Sequence, residues 1–320
     1  MNRTTSVNAV FEGGGVKGIS LTGAVRAAEN HGIVFRRVAG TSSGSIVAAL
    51  LAAGYSADEM RMAIEKTPLR ELLSRNPLFD LKLIGPAVRL FWKKGLYSGK
   101  KLEAWVESLL AAKGIRTFGD LPPGKLRIVA SDITNGRLLV LPRDIAPYGI
   151  PPNRFSVARA VRMSTSIPYF FDPVVVRQPL KERKKHALKA RASYIVDGGL
   201  LSNFPLWLFG EDGAEEASVP VIGFQMVGRS DFRPHAIDGP ISMFQAMFET
   251  MLSAHDERYI SKNNRIRTVK IPTLGVGTAD FHLGKEKSDE LYRSGLEAGE
   301  KFFRNWDSRL GTIHVTFPYE

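Results

Sequence analysis

The sequence predicts an α/β fold, a three-layer sandwich with a mostly parallel central sheet between helices. Three observations carry this expectation. Short apolar runs alternate with longer helical patterns, glycine-rich turns join strand directly to helix at two places, and no repeat or low-complexity linker divides the 320 residues. One domain over residues 1–320 is therefore expected, with its core between about Val7 and Trp306.

Taken in order, Val7–Phe11 is a short apolar strand that stops at Gly13-Gly14-Gly15, and Ile19–Glu29 reads as a helix. Ile33–Ala39 is a second strand broken at Gly40, and Ile46–Ala53 an apolar helix ended by Gly54. Ser56 with Glu59 is a capping box opening a third helix. Ser98 is expected to cap a fourth, which runs to about Lys113 before Gly114. Leu126–Asp132 and Arg137–Leu141 flank Asn135-Gly136, a hairpin signal in which both turn positions take φ > 0. Phe155–Met163 reads as helix, then Val174–Arg177, Tyr194–Val196 and Val219–Met226 as strands. Ile241–Ile260 is a helix, Thr268–Ile271 a strand and Ser288–Trp306 the final helix. The stripe Met243, Phe244, Met247, Phe248, Met251 and Leu252 has the spacing of a core-facing helix side.

Composition bounds the function. Hydrophobic residues at 44% and charged residues at 24% are those of a globular protein, which excludes collagen-like and disordered readings. With no cysteine, thiol catalysis, zinc ribbons and iron–sulfur clusters are out. The N-terminus lacks an apolar signal-peptide core, and no stretch approaches the roughly 18 apolar residues of a spanning helix. A cytoplasmic protein with peripheral membrane association is expected. Net charge of +12 calls for an anionic partner. The segment Leu81–Lys101 holds Lys82, Arg89, Lys93, Lys94, Lys100 and Lys101 without an acid, interleaved with Phe91 and Trp92, and this composition suits an anionic lipid surface as well as a packed connector. The run Lys181–Arg191 lacks aromatics and reads as a solvated loop. No nucleic-acid motif accompanies the charge, so no nucleic-acid partner is expected, and no activating partner or effector is named by the sequence.

The chemistry concentrates in three places. Gly13-Gly14-Gly15-Val16-Lys17-Gly18 lies between a strand and a helix, where backbone amides of a glycine turn suit a developing oxyanion. The same residues fit G-x-G-x-x-G. A dinucleotide site, however, calls for an acid about 20 residues on, and none occurs between Asn30 and Gly54, although Arg36 and Arg37 would suit a 2′-phosphate. Gly40-Thr41-Ser42-Ser43-Gly44 is a G-x-S-x-G in the strand–turn–helix context that presents Ser42 Oγ as a nucleophile above a helix N-terminus. Asp197-Gly198-Gly199 follows a strand, and by itself reads as a turn.

These three motifs, in this order, resemble the patatin-like phospholipases, lipid acyl hydrolases related in mechanism to cytosolic phospholipase A2. Arg159-Ala160, Ser164, Ser166-Ile167-Pro168, Phe171, Pro173, Asn203 and Pro205 extend the resemblance to nearly the whole chain. Lys17 departs from it: many members carry Arg there, and Lys keeps the charge without the planar fork. The resemblance implies a patatin-like sandwich and a Ser–Asp dyad of Ser42 as nucleophile and Asp197 as base. It also implies an oxyanion hole from the amides of Gly13, Gly14 and Gly15, supported by Lys17, Gly18, Gly40, Gly44, Gly198 and Gly199. No metal or cofactor is required. A carboxylate with a reference pKa of about 3.9 needs burial to serve as a base near neutral pH. The substrates implied are acyl esters of phospholipids or lysophospholipids, with acylglycerols, galactolipids and acyl thioesters also open. Three other readings stand beside this one: a nucleotide-binding protein using the glycine loop, a Ser–Asp–His esterase or thioesterase drawing on His235, His255, His282 or His314, and a non-enzymatic anion-binding or membrane-docking module.

Overall fold

The computed structural model describes residues 4–67, 69–73, 94–178, 191–209, 219–228, 237–259, 267–278, 280 and 283–306. The first half of the chain runs β1 (Thr5–Phe11), α1 (Ile19–Asn30), β2 (Ile33–Thr41), α2 (Ser43–Ala52), α3 (Ala57–Lys66), β3 (Gly95–Tyr97), α4 (Lys100–Ala112), β4 (Leu126–Asp132) and β5 (Arg137–Leu141). The second half runs α5 (Val157–Ser164), β6 (Tyr169–Phe171), β7 (Val174–Arg177), β8 (Ala192–Asp197), β9 (Val221–Val227), α6 (Pro240–Tyr259), β10 (Thr268–Pro272) and α7 (Lys285–Arg304).

The main sheet has eight strands in the order β10-β9-β1-β2-β4-β8-β7, with β5 also on β4. Pairs from β10 to β4 are parallel, whereas β4–β5, β4–β8 and β7–β8 are antiparallel. The sheet is mostly parallel and flanked by helices, as expected.

One detail of register positions the site. β5 pairs with Ile128–Asp132 and so takes one edge of β4. β2 pairs with Leu126–Val129 and β8 with Ala130–Asp132, so both occupy the other edge. They meet there end to end, Thr41 opposite Val129 and Asp197 opposite Ala130. A strand leaves only two edges, so the C-terminal ends of β2 and β8 face each other with no residue of β4 between them.

The alternation of the strands divides the core into two faces. Val7, Ala9 and Phe11 of β1 join the large cluster that includes α1, α2, α4 and α5, while Val10 joins Ala39, Val129, Leu208 and Phe209 on the opposite side. Phe11 stacks on Phe224 at 4.8 Å between ring centroids, which packs the floor beneath the first glycine turn. Helices α1 and α7 touch through glycines. A Cβ at Gly295 would lie 1.8 Å from Ser20 O, and one at Gly23 would lie 2.0 Å from Tyr292 O.

Several local expectations shift. α2 begins at Ser43, three residues before Ile46, because Ser42 itself is the N-cap residue. α4 has Gly99 as its N-cap, with Ser98 Oγ only accepting from Lys100 N at 3.5 Å. α5 starts at Val157 because Ser156 caps it, accepting from Arg159 N. In the β4–β5 hairpin only Gly136 has positive φ. Asn135 need not, because the loop has four residues and Asp132 accepts hydrogen bonds from Thr134 N, Asn135 N and Asn135 Nδ2. The α6 stripe splits: Phe248 and Leu252 are buried, but Met243 and Met247 are 51% and 53% exposed. That corrects the all-core reading. Hydropathy spacing marks an apolar side without saying how much of it another element covers.

Residues 81–93 of the basic segment lie outside the described residues, and so do residues 181–190 of the second run. Where the first segment is described, Gly95–Tyr97 forms β3, paired in parallel with β6, so this end is a packed connector. Among the described residues no helix is long and apolar enough to cross a membrane.

Gly295→Ala should force α1 and α7 apart and lower stability by about 1–3 kcal/mol, read by urea unfolding. Gly228→Ala, which meets nothing within 4 Å, should stay within about 0.5 kcal/mol of the parent. Equal effects of the two substitutions would refute close packing as the reason for Gly295.

Candidate active site

β1 and β2 lie side by side with Phe11 opposite Gly40, so the turns that follow them open at the same edge of the sheet. Ser42 occupies the second turn at φ 51°, ψ −127°, a backbone conformation that costs an L residue on the order of 1–3 kcal/mol. The surroundings hold it there. Ser42 N donates to Ser164 Oγ at 2.9 Å, and Ser164 Oγ donates to Val129 O at 2.6 Å, which ties the elbow to β4. Ser42 O accepts from both Ser45 N and Ser45 Oγ. The flanking glycines are needed for close approach: a Cβ at Gly40 would sit 2.3 Å from Gly44 O, and one at Gly44 would sit 2.3 Å from Phe11 O.

Asp197 arrives from the opposite direction at the end of β8. Its side chain is 1% exposed, and Oδ1 accepts from Gly199 N at 2.8 Å. Burial pushes the carboxyl up from 3.8 to about 7, against the smaller opposing effects of the Gly199 amide and the Ser42 hydroxyl. The Ser42 hydroxyl is close enough to bear on this carboxyl, as the smallest of the three effects. Oδ2 is buried and carries no hydrogen bond from the described residues, so the carboxyl retains an unused acceptor. Gly198 allows the chain to pass β4, since a Cβ there would lie 2.3 Å from Val129 O.

The glycine loop is less open than the sequence suggests. Gly13 N donates to Asn203 O at 3.2 Å, and Asn203 Nδ2 returns a hydrogen bond to Gly13 O at 3.1 Å. Gly14 N donates to Ser43 Oγ at 3.1 Å. Gly15, at φ +59°, is pressed against Thr278, and among the described residues no acceptor takes its amide. Of the three amides, then, one is held by backbone, one by a side-chain hydroxyl, and one is open. Gly18 packs on the Ser43 side chain, and half-buried Lys17 runs alongside Gly14.

Two supporting residues escape sequence reasoning as to role. Ser164, singled out only as a match, is the acceptor for the elbow amide. Arg162 is 4% exposed and reaches Ser166 Oγ and Asp172 O. Burial lowers its pKa to about 10. Ser166 O in turn accepts from Asp197 N at 2.9 Å, so Arg162 braces the strand end that carries Asp197. Gly99 packs against its guanidinium, and no signal in the sequence sets Arg162 apart from Arg159 on the same helix.

His235, His282 and His314 lie outside the described residues, as does the side chain of His255 on α6. His31 is remote from the site, bonded to Glu300 on α7 at 2.8 Å.

A positive-φ serine between two close-packed glycines and a buried carboxyl thus come to the same junction of strand ends, a candidate nucleophile and a candidate base. Comparison with known proteins gives the lineage. The patatin-like phospholipase model matches residues 9–209, and the chain belongs to this family of lipid hydrolases. The uncharacterised protein YqhO of Bacillus subtilis (strain 168) is 44% identical over 302 residues, covering 94% of this chain and 99% of its own. The lysophospholipase NTE1 of Scheffersomyces stipitis is 24% identical over 94% of this chain, which spans only 18% of that enzyme. Among solved structures, VipD from Legionella pneumophila aligns with a TM-score of 0.55 at 18% identity, covering 95% of this chain and 67% of its own, and shares the fold.

The buried Asp197 should tax stability. Its carboxyl titrates near 7 when folded against 3.8 unfolded. Between those values the unfolded chain binds fewer protons than the folded one, so stability falls as pH rises from about 4 to 7, by up to about 1.4 kcal/mol per unit, and is level above. Asp197→Asn removes this group. The variant should exceed the parent in stability at pH 8 and lose that advantage below pH 4, as measured by urea unfolding. A stability difference independent of pH would show that burial does not set the titration of Asp197.

Proposed function

We propose that this protein is a serine lipid acyl hydrolase of the phospholipase A or lysophospholipase type, acting through Ser42 and Asp197. The observation that carries the reading is the meeting of β2 and β8 end to end on β4, which brings a serine at a strained elbow to the same junction as a carboxyl that burial raises to about 7. A base poised near the operating pH is what removal of a serine proton demands. Asp197 takes the Ser42 proton, and Ser42 Oγ attacks the ester carbonyl. The oxyanion that forms is met by the glycine loop: the Gly15 amide is open, and the Gly14 amide exchanges the Ser43 hydroxyl for it. The alcohol leaves with the proton from Asp197. Water, activated by the same carboxylate, then cleaves the acyl-Ser42 ester.

The name of the NTE1 relative supports lysophospholipids among the substrates. The +12 charge favours an anionic phospholipid surface as the place of action, with peripheral attachment from the cytoplasm. The nucleotide reading is weakened by the packing of Gly14 and Gly15 against Met226 and Thr278, which crowds the place where a pyrophosphate would lie.

A fluorophosphonate probe should label Ser42 alone, and Ser42→Ala should abolish labelling and hydrolysis of phospholipid and lysophospholipid. Labelling that survives at Ser43 would overturn the assignment. Asp197→Asn should lower kcat by about 10²- to 10⁴-fold. In the parent, kcat/KM should rise with pH and level off above about 7, because the required form of Asp197 is the carboxylate. Replacing His235, His255, His282 or His314 should leave most activity, and a loss equal to that of Asp197→Asn from any of them would establish a triad instead.

A further inference from the structure

A cavity of about 760 Å³ lies beside the loop that carries Asp197. Its inner wall includes Val196 and Leu200, the residues that bracket Asp197-Gly198-Gly199, and its outer wall includes Ile133, Tyr169 and Phe244. The size is within the range of about 300–1,000 Å³ typical of small-molecule sites. Among the described residues the lining is largely apolar, with one cation, Lys94, and no carboxylate.

Two features mark this cavity as a binding site and not a packing fault. The first is backbone strain. Among the described residues, four that are not glycine have positive φ: Ser42, Lys94, Tyr169 and Leu274. Ser42 is the elbow, and two of the other three, Lys94 and Tyr169, line this cavity. The pairing of Gly95 with Tyr169 in the β3–β6 ladder brings them next to each other. A lysine and a tyrosine held this way are strained, and such strain gathers at ligand clamps. The second feature is the state of the polar and aromatic groups at the mouth. The Lys94 side chain is exposed, and its ammonium lies 5.2 Å from the centroid of the Tyr194 ring, with no carboxylate partner among the described residues. Tyr169, 44% exposed, meets Phe244 edge to face at 4.6 Å and leaves an aromatic wall open to solvent.

We propose that this cavity binds a single-chain anionic amphiphile, its alkyl chain lying between Ile133, Tyr169, Leu200 and Phe244 and its anionic head on Lys94. The proposal goes beyond the hydrolase reading and does not depend on turnover. A tail alone gains from burial at any apolar surface, but an unpaired ammonium at the mouth adds a charge-assisted contact that a neutral head cannot make. The same chemistry is offered by the phosphate of a lysophospholipid and by the carboxylate of a released fatty acid. Either would lie against the residues that flank Asp197, so occupancy would be felt at the proposed catalytic loop.

The test uses calorimetric titration of the whole protein at 0.15 M salt, below micellar concentrations, with four probes that contain no carboxylic ester: dodecyl phosphate, dodecanoate, dodecanol and inorganic phosphate. Both dodecyl anions should bind more tightly than dodecanol, inorganic phosphate should not bind, and the tighter anion identifies the head. Lys94→Gln should weaken the anions by about tenfold and leave dodecanol unchanged. Phe244→Ala should weaken all three dodecyl probes. Ile133→Asn, at a residue 51% exposed and so harmless to the core, should do the same. Anion binding that is insensitive to Lys94→Gln, or alkyl binding unaffected by both cavity substitutions, would overturn the proposal. So would inorganic phosphate binding as tightly as dodecyl phosphate. Ser42→Ala separates this site from the catalytic reading: it should bind all three dodecyl probes as the parent does, whether or not the parent hydrolyses lipid.

Discussion

Two strands that run end to end along one edge of β4 determine most of what this molecule can do. β2 ends opposite Val129 and β8 ends opposite Ala130, from opposite directions. Whatever follows each strand must therefore share one small volume at the middle of the sheet. Ser42 and Asp197 are the residues that do. The same geometry denies Asp197 water and a counter-charge, which is why burial leads among the influences on its pKa. The stability cost and the chemical use of this carboxyl have one origin. A carboxyl in water would be too weak a base for a serine hydroxyl, and burial supplies the shift that a histidine would otherwise make unnecessary.

Such an arrangement has to be enforced, because two ends of strand with a buried charge between them would otherwise drift apart. The bracing comes from α5. Ser164 at its C-terminus fixes the amide of Ser42, and Arg162 two residues earlier holds Ser166, whose carbonyl accepts from Asp197 N. One short helix thus grips both sides of the junction. Arg162 is itself buried with its pKa lowered, so the brace is also costly, and it is retained where a leucine would pack more cheaply. The costs fall around the site: a strained elbow, a buried acid and a buried base.

Local sequence signals mark most elements and single out Ser42 and Asp197 as candidates, for a physical reason. G-x-S-x-G and the triple glycine are constraints on backbone approach, and steric constraints of that kind leave their mark in a few adjacent letters. Asp197 was legible only through its order relative to the two glycine motifs, since Asp-Gly-Gly alone is an ordinary turn. What stayed hidden depends on residues far apart in the chain. The occupation of Gly14 N by Ser43 Oγ requires knowing how β1 and β2 stack. The two-stranded β3–β6 sheet has only three residues in each strand, too few for any period to show. Exposure of Met243 and Met247 depends on what covers α6, which no periodicity within the helix records.

The hydrogen bond from Gly14 N to Ser43 Oγ bears on how the proposed reaction would gain rate without loosening the fold. An amide left open in a buried turn costs stability, so satisfying it with a hydroxyl keeps the glycine loop in place before any substrate arrives. The hydroxyl is a neutral acceptor on a side chain that can rotate, whereas Asn203 O on Gly13 N is backbone and cannot withdraw. An ester carbonyl is also neutral and gains little by displacing Ser43. The oxyanion of the tetrahedral intermediate is charged, and charge-assisted hydrogen bonds are about twice as strong as neutral ones. Exchange therefore becomes favourable only as charge develops, which places the gain in the transition state and not in binding of the substrate. The open amide of Gly15 would begin the capture, and Gly14 would complete it.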